Sequence, residues 1–124
     1  MNGPDDLGAG ESAAAALPGE SVGAMVTVFR STLRPGSEDD YEPLAARMAD
    51  LARSQPGFVD FKTFVAEDGE RVSLVRFADR ASHDGWRRHP EHLVAQREGR
   101  QHLYRGYSVL VCALLAERSY ETTV

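Results

Sequence analysis

Val109 to Ala116, VLVCALLA, is an unbroken run of eight apolar residues near the end of the chain. It is far shorter than the ~20 residues a helix needs to cross a bilayer. Its valines, Val109 and Val111, and Tyr107 just before it suit a strand over Tyr107 to Ala116. A half-buried strand alternates polar and apolar side chains, and this one does not. A strand that is apolar on both sides needs cover on both faces of its sheet. Any fold proposed for this chain has to supply that cover.

The preceding elements restrict how it can be supplied. Ala24 to Leu33, AMVTVFRSTL, is β-branched and aromatic and predicts a strand, closed by Arg34-Pro35-Gly36-Ser37. Ser37 with Asp40 resembles a capping box, so a helix is expected to start there. Tyr41, Leu44, Ala45, Met48, Leu51 and Ala52 follow at three- and four-residue spacing, one apolar stripe that ends at Gln55-Pro56-Gly57. Phe58 to Ala66 predicts a second strand, with Val59, Phe61, Thr63 and Val65 alternating against Phe58, Asp60, Lys62 and Phe64. The Asp68-Gly69 pair suits a hairpin into Arg71 to Phe77. Asp79 can cap a second helix, and Pro90 suits the first turn of a third, with His89 at its N-cap. Gly99 and Gly106 punctuate the exit into the last strand.

The order is β-α-β-β-α(α)-β, an α+β chain with one antiparallel sheet. Its helices can cover only one face by the split βαβ arrangement. Closed two-fold dimers are the commonest oligomers. A second copy packed sheet to sheet is therefore the expected cover for the other face, which makes the chain a homodimer.

At 124 residues the chain is expected to hold one domain, over residues 24–120, with a disordered leader at 1–23 and a short tail at 121–124. A formal net charge of −5 argues against nucleic acid or an anionic membrane as partner. Asp5, Asp6 and Glu11 precede the apolar Ala13 to Leu17 where a signal peptide needs positive charge. The lone cysteine, Cys112, excludes an internal disulfide and suits the cytoplasm. Its neighbours Val111 and Ala113 suggest a buried, inert thiol.

Candidate chemistry concentrates in Phe77 to Arg100, FADRASHDGWRRHPEHLVAQREGR. Ser82, Gly85, Trp86 and His89 share one helical face. Gly85 costs helix stability and suits close approach either to a flat ligand or to the sheet. Trp86 reads as a core anchor or as a pocket wall with an N–H to offer. His89 and His92 are three apart, and Gln96 follows His92 by four; His89 has a capping role beside a pocket role. No carboxylate or cysteine completes a metal set with them, so no protein metal site is expected. Arg76, on the strand entering this region, would need an acid or an anionic ligand if it faces inward, and otherwise reaches an exposed edge. Ser73 and Ser108 lack a nucleophile elbow.

Val75-Arg76-Phe77, then Trp86-Arg87, His89-Pro90-Glu91-His92, Gln96 and Gly99-Arg100 together resemble the antibiotic biosynthesis monooxygenase domain family, near its haem-degrading-related branch. Gln55-Pro56-Gly57-Phe58 and the closing strand fit the same pattern. The resemblance implies a ferredoxin-like fold paired into a dimeric α/β barrel, with a pocket between sheet and helices. It also implies one of two chemistries. In the first, a cofactor-independent monooxygenase oxidises an electron-rich polycyclic aromatic, such as an anthrone-like polyketide, with O2. Trp86 is then pocket wall and donor, His89 or His92 the base, and Arg76 the holder of the substrate oxygen. Phe29, Phe61, Tyr104 and Gln96 line the pocket. In the second, haem binds through His92 or His89 and is degraded. That branch uses a first-strand asparagine and the anthrone-oxidising pattern uses an asparagine with its tryptophan, whereas the only asparagine here is Asn2; Gln96 stands where the haem ligand is expected. A non-catalytic small-molecule binder, a polyketide cyclisation helper and a purely structural dimer are the remaining expectations, since family membership alone does not define an activity.

Overall fold

The computed structural model describes residues 23–123; the leader expected at 1–23 lies, but for Gly23, outside the described residues. Four strands and three helices follow one another as β1 (Met25–Leu33), α1 (Glu38–Arg53), β2 (Phe58–Val65), β3 (Arg71–Phe77), α2 (Arg80–Arg87), α3 (Pro90–Glu98) and β4 (Tyr104–Ala113). A π-helical turn, Gly99–Leu103, joins α3 to β4. The sheet is antiparallel in the order β2-β3-β1-β4. This is the ferredoxin-like α+β arrangement, with the helices on one face.

Inward side chains on the central strands make the core. Val75 and Phe77 of β3 pack with Leu51 and Ala52 of α1 and with Trp86 of α2. Phe77 is fully buried. Towards its other end, Leu44 and Ala45 of the α1 stripe are half-buried and roof a cavity, which Met48 lines while also packing against the core.

The ends of α1 differ from expectation. Ser37 stands directly before the helix, but its backbone is already helical (φ −92°, ψ −1°) and its side chain makes no capping bond. An N-cap hydroxyl reaches the orphan N–H groups from extended backbone. The three acids of the first turn, Glu38, Asp39 and Asp40, meet the positive end of the helix dipole instead. Asp79 and His89 do cap: Asp79 accepts from Ser82 N, and His89 Nδ1 accepts from Glu91 N. The hairpin turns at Gly69 (φ +92°), with Asp68 accepting from Glu70 N.

A β-bulge corrects the alternation expected along β2. Phe58 pairs with Phe77 and Asp60 with Arg76, so Val59 is the extra residue. Phe58 and Phe61 therefore share the helix-covered face, where both pack against the core. The last strand is also shifted: it begins at Tyr104 and ends at Ala113, because the π-helical turn delivers the chain to the sheet three residues early.

Cys112 corrects a second expectation: it is exposed, not buried. It pairs with Val26 on an edge strand, and both point to the face without helices. Val28, Leu74, Leu110 and Phe64 belong to that face, and Phe64 and Leu110 are nearly half exposed. Gly85 meets neither of its expected neighbours, since a Cβ there would touch nothing within 4 Å.

Gly57 is a position where only glycine fits. Its φ is +77°, and an added Cβ would lie 2.6 Å from Ser82 Cβ in α2. Its carbonyl accepts from Ala78 N at 2.7 Å, tying the α1–β2 turn to the start of α2. Gly57→Ala is expected to cost at least about 1–3 kcal/mol from backbone strain alone. Urea unfolding followed by circular dichroism reads this as a lower midpoint at unchanged slope.

Candidate active site

The cavity lies between the sheet and the helices and holds about 440 Å³. Its position follows from local sequence. The Asp79 cap and the short α2 put His83 and Trp86, three residues apart, on the buried face. The Pro90 start then turns α3 so that His92 and Ala95 face inward. Trp86 lies against Phe77 (ring centroids 5.4 Å apart) and edge-on to His92 (4.5 Å).

At the opposite end, Phe29, Tyr41, Tyr104 and Tyr107 form an aromatic wall with centroid spacings of 5.5–6.4 Å. Burial first, and Tyr41 next to it, push the Tyr104 hydroxyl up to about 12. Burial raises the Tyr41 hydroxyl too, partly offset by Arg71, whose guanidinium lies 4.8 Å above the Tyr41 ring. Both tyrosines therefore present neutral O–H groups. Thr27, Ser73 and Val75 of the sheet and Gln96 of α3 also line it, together with the charged Glu42, Arg53, Lys62 and Arg87.

At the Trp86 end, two polar atoms are buried without a hydrogen-bond partner among the described residues: Trp86 Nε1 and His92 Nδ1. Burial first, and the Arg87 guanidinium second, lower the His92 imidazole to about 4, against a backbone hydrogen bond at Arg87 that raises it. His92 is thus neutral at pH 7. The unfolded chain takes up a proton at this residue as pH falls through about 6.5, while the folded chain resists until about 4. The folded state is therefore expected to lose stability as pH falls across that window. His92→Gln should flatten that slope relative to the wild type in parallel denaturant titrations.

The eight candidate residues from the sequence divide. Trp86, His92, Gln96, Phe29, Phe61 and Tyr104 come together on the cavity. His89 is not on it, and its Nδ1 is committed to the α3 cap. Arg76 lies on the far face of the sheet, with Val72 and Leu74. It makes two hydrogen bonds to Glu117, at 3.1 and 2.7 Å, and the Glu117 bond is the chief cause that raises its guanidinium.

Thr27, Tyr41 and His83 are not among the site candidates of the sequence. His83 is fully buried: its Nε2 lies 2.7 Å from Thr27 Oγ1 and its Nδ1 2.9 Å from Asp84 Oδ1. The i−3 spacing from Trp86 was its only local signal. Among the described residues, no group of three or more His, Cys, Asp or Glu side chains gathers as a metal site, and no helix is long and apolar enough to cross a membrane.

A sheet with helices on one face and a partly aromatic cavity between the layers defines an α+β domain of the ferredoxin-like type. Residues 24–98 match the family model described as antibiotic biosynthesis monooxygenase, and the chain belongs to that family. The uncharacterised protein YqjZ of Bacillus subtilis (strain 168) is 29% identical over 94 residues, spanning 76% of this chain and 82% of YqjZ. Rv0793 from Mycobacterium tuberculosis has a similar structure, with TM-score 0.69 and 26% identity over 77% of this chain and 99% of that one. SnoaB, a cofactor-independent oxygenase from Streptomyces nogalater, shares the fold at TM-score 0.66 and 21% identity, over 79% and 97% of the two chains.

Proposed function

We propose that the chain is a cofactor-independent monooxygenase that oxidises an electron-rich polycyclic aromatic, anthrone-like substrate with O2 inside this cavity. The observation that carries the reading is that Trp86 and His92 line a largely apolar cavity while Trp86 Nε1 and His92 Nδ1 are buried without partners among the described residues. A buried unpaired polar group costs about 1–3 kcal/mol, and a substrate oxygen and hydroxyl would satisfy both. Family membership and the fold shared with a cofactor-independent oxygenase support the same chemistry.

The reaction balances without an added reductant. An anthrone methylene gives up two hydrogens and four electrons as it becomes a carbonyl. O2 accepts the four electrons, one oxygen entering the carbonyl and the other leaving as water. The substrate must first lose a proton to become the electron-rich anion that reduces O2. Trp86 Nε1–H then faces the oxygen on which charge accumulates, a donor fixed in advance. Neutral His92 accepts from a substrate hydroxyl and orients it, with Gln96 beside it. Phe29, Phe61 and Tyr104 hold the rings. Arg76 and His89 serve the fold in this reading.

The open face of the sheet carries the second part of the proposal. Phe64, Leu74 and Leu110 leave an apolar surface on the helix-free face that a second copy would cover. Light scattering is expected to give twice the chain mass, and Leu110→Asp to shift it to the monomer. A monomeric wild type would contradict this.

The test of function is O2 uptake by the metal-free protein with a dihydroxyanthrone, measured against uncatalysed autoxidation. Saturable uptake with quinone formation supports the reading. Saturable binding of the dihydroxyanthraquinone without O2 uptake would instead indicate a passive binder or a cyclisation helper. His92 is also the only histidine among the described residues on the cavity, and its free Nδ1 could ligate haem iron. Haem bound there would supply oxidative chemistry on its own ring. A shifted absorption band on haem addition, lost in His92→Ala, would favour that second reading.

A further inference from the structure

The cavity has a second histidine behind its wall. Thr27 lines the cavity and His83 does not, so the His83 ring reaches the cavity only through the Thr27 hydroxyl. Asp84 holds the far side of the ring through Nδ1, and its carboxyl lies below the usual range chiefly because of that bond. An ionised carboxylate only accepts, so Nδ1 carries the proton of the neutral ring. Nε2 then offers its lone pair to the Thr27 O–H, and a lone pair of Thr27 Oγ1 is left for the cavity. An acid orienting a histidine that in turn holds a hydroxyl is the arrangement that activates hydroxyls for proton transfer or attack.

We infer that Asp84, His83 and Thr27 form the proton relay that ionises the bound substrate, with the Thr27 hydroxyl as the group that touches it. This rests on the oxygenase reading above, and supplies the base that reading lacks. As the substrate phenol or enol gives its proton to Thr27 Oγ1, Thr27 passes its own to His83 Nε2. No covalent bond to carbon changes, and the substrate is left as the anion that reduces O2. The imidazolium that forms is stabilised by the Asp84 carboxylate. Two further observations fit. His83 and Thr27 are each 2% exposed, so bulk water does not short-circuit the transfer. Neutral His92 is a poor proton acceptor. The groups around His83 are Asp84 and Trp86 on α2, Thr27 on β1, Phe77 on β3 and His92 on α3, and Arg80 reaches it through Asp84.

The test compares wild type, Thr27→Val, Thr27→Ser and Asp84→Asn for O2 uptake with the dihydroxyanthrone and for binding of the dihydroxyanthraquinone. Thr27→Val keeps the branched shape of the strand residue. It is expected to lower kcat by about 100-fold, with KM and quinone binding within about twofold. Thr27→Ser should recover most of the loss, and Asp84→Asn should fall between them. Raising the pH until the anthrone ionises in solution should restore Thr27→Val towards wild type, which a merely structural role would not allow. Unchanged kcat in Thr27→Val, or loss of quinone binding along with kcat, would overturn the relay. If wild type binds the hydroxyquinone but consumes no O2, the oxygenase reading falls alone. The relay is then read in the bound dye: more phenolate absorption in wild type than in Thr27→Val upholds it, and equal spectra overturn it. A wild type that binds neither compound would overturn both.

Discussion

Replacing Trp86 with phenylalanine is expected to lower turnover of a dihydroxyanthrone by about 100-fold while leaving the domain nearly as stable as before. The two halves of that result have separate causes. Phenylalanine keeps an aromatic ring between Phe77 and His92, so most of the packing survives. The Nε1–H that is lost has no partner among the described residues, so its removal breaks no hydrogen bond of the fold. Taking away an unsatisfied buried donor is the case in which deleting a polar group costs little or stabilises. In turnover the same N–H faces the developing oxyanion, and loss of one such donor typically costs about 10²–10³ in rate. Steady-state kinetics beside thermal unfolding decides it. A variant that keeps its activity would remove Trp86 from the reaction, and one that unfolds would make it a core residue first.

Phe77→Ala is expected to show the opposite pattern, a loss of fold before any loss of chemistry. Phe77 has no exposed surface and meets Phe58, His83 and Trp86 at centroid distances of 5.4–6.2 Å. Truncating a buried phenylalanine costs about 3–5 kcal/mol, through lost burial and the void left behind. A domain of this size is stable by roughly 5–15 kcal/mol, so that is a large share of the total. Each kcal/mol is worth about 4–8 °C here, which puts the expected drop in Tm above about 12 °C. Differential scanning calorimetry measures it. A drop under a few degrees would mean that the core around Phe77 collapses into the void or is organised elsewhere.

Features set by neighbours in the chain were legible in the sequence. The strand at Met25–Leu33, the stripe on α1, the turn at Gly69 and the caps at Asp79 and His89 all follow from local propensity and spacing. What depends on partners far along the chain was not legible. The Val59 bulge is visible only as a register between β2 and β3, and it decides that Phe58 and Phe61 share a face. Arg76 and Leu74 do lie on the same face, as the alternation implied, but that face is the one without helices. The same uncertainty of face hid the exposure of Cys112. At the site, Trp86 stood out as the lone tryptophan of a short helix, and the aromatic lining came from the family resemblance. His83 was not, because its meaning comes from a hydroxyl 56 residues earlier. His89 and His92 look alike in sequence. One turn of geometry makes the first a cap and the second a cavity residue.

The most direct test of the central claim is the oxygen balance of the metal-free, haem-free wild-type protein with a dihydroxyanthrone, recorded in an oxygen electrode beside quinone absorbance. A cofactor-independent oxygenase gives saturable uptake above autoxidation, one O2 per quinone formed, with no hydrogen peroxide released and no dependence on added metal, flavin or haem. Uptake at the autoxidation rate, or uptake that appears only when one of those groups is added, would contradict that claim.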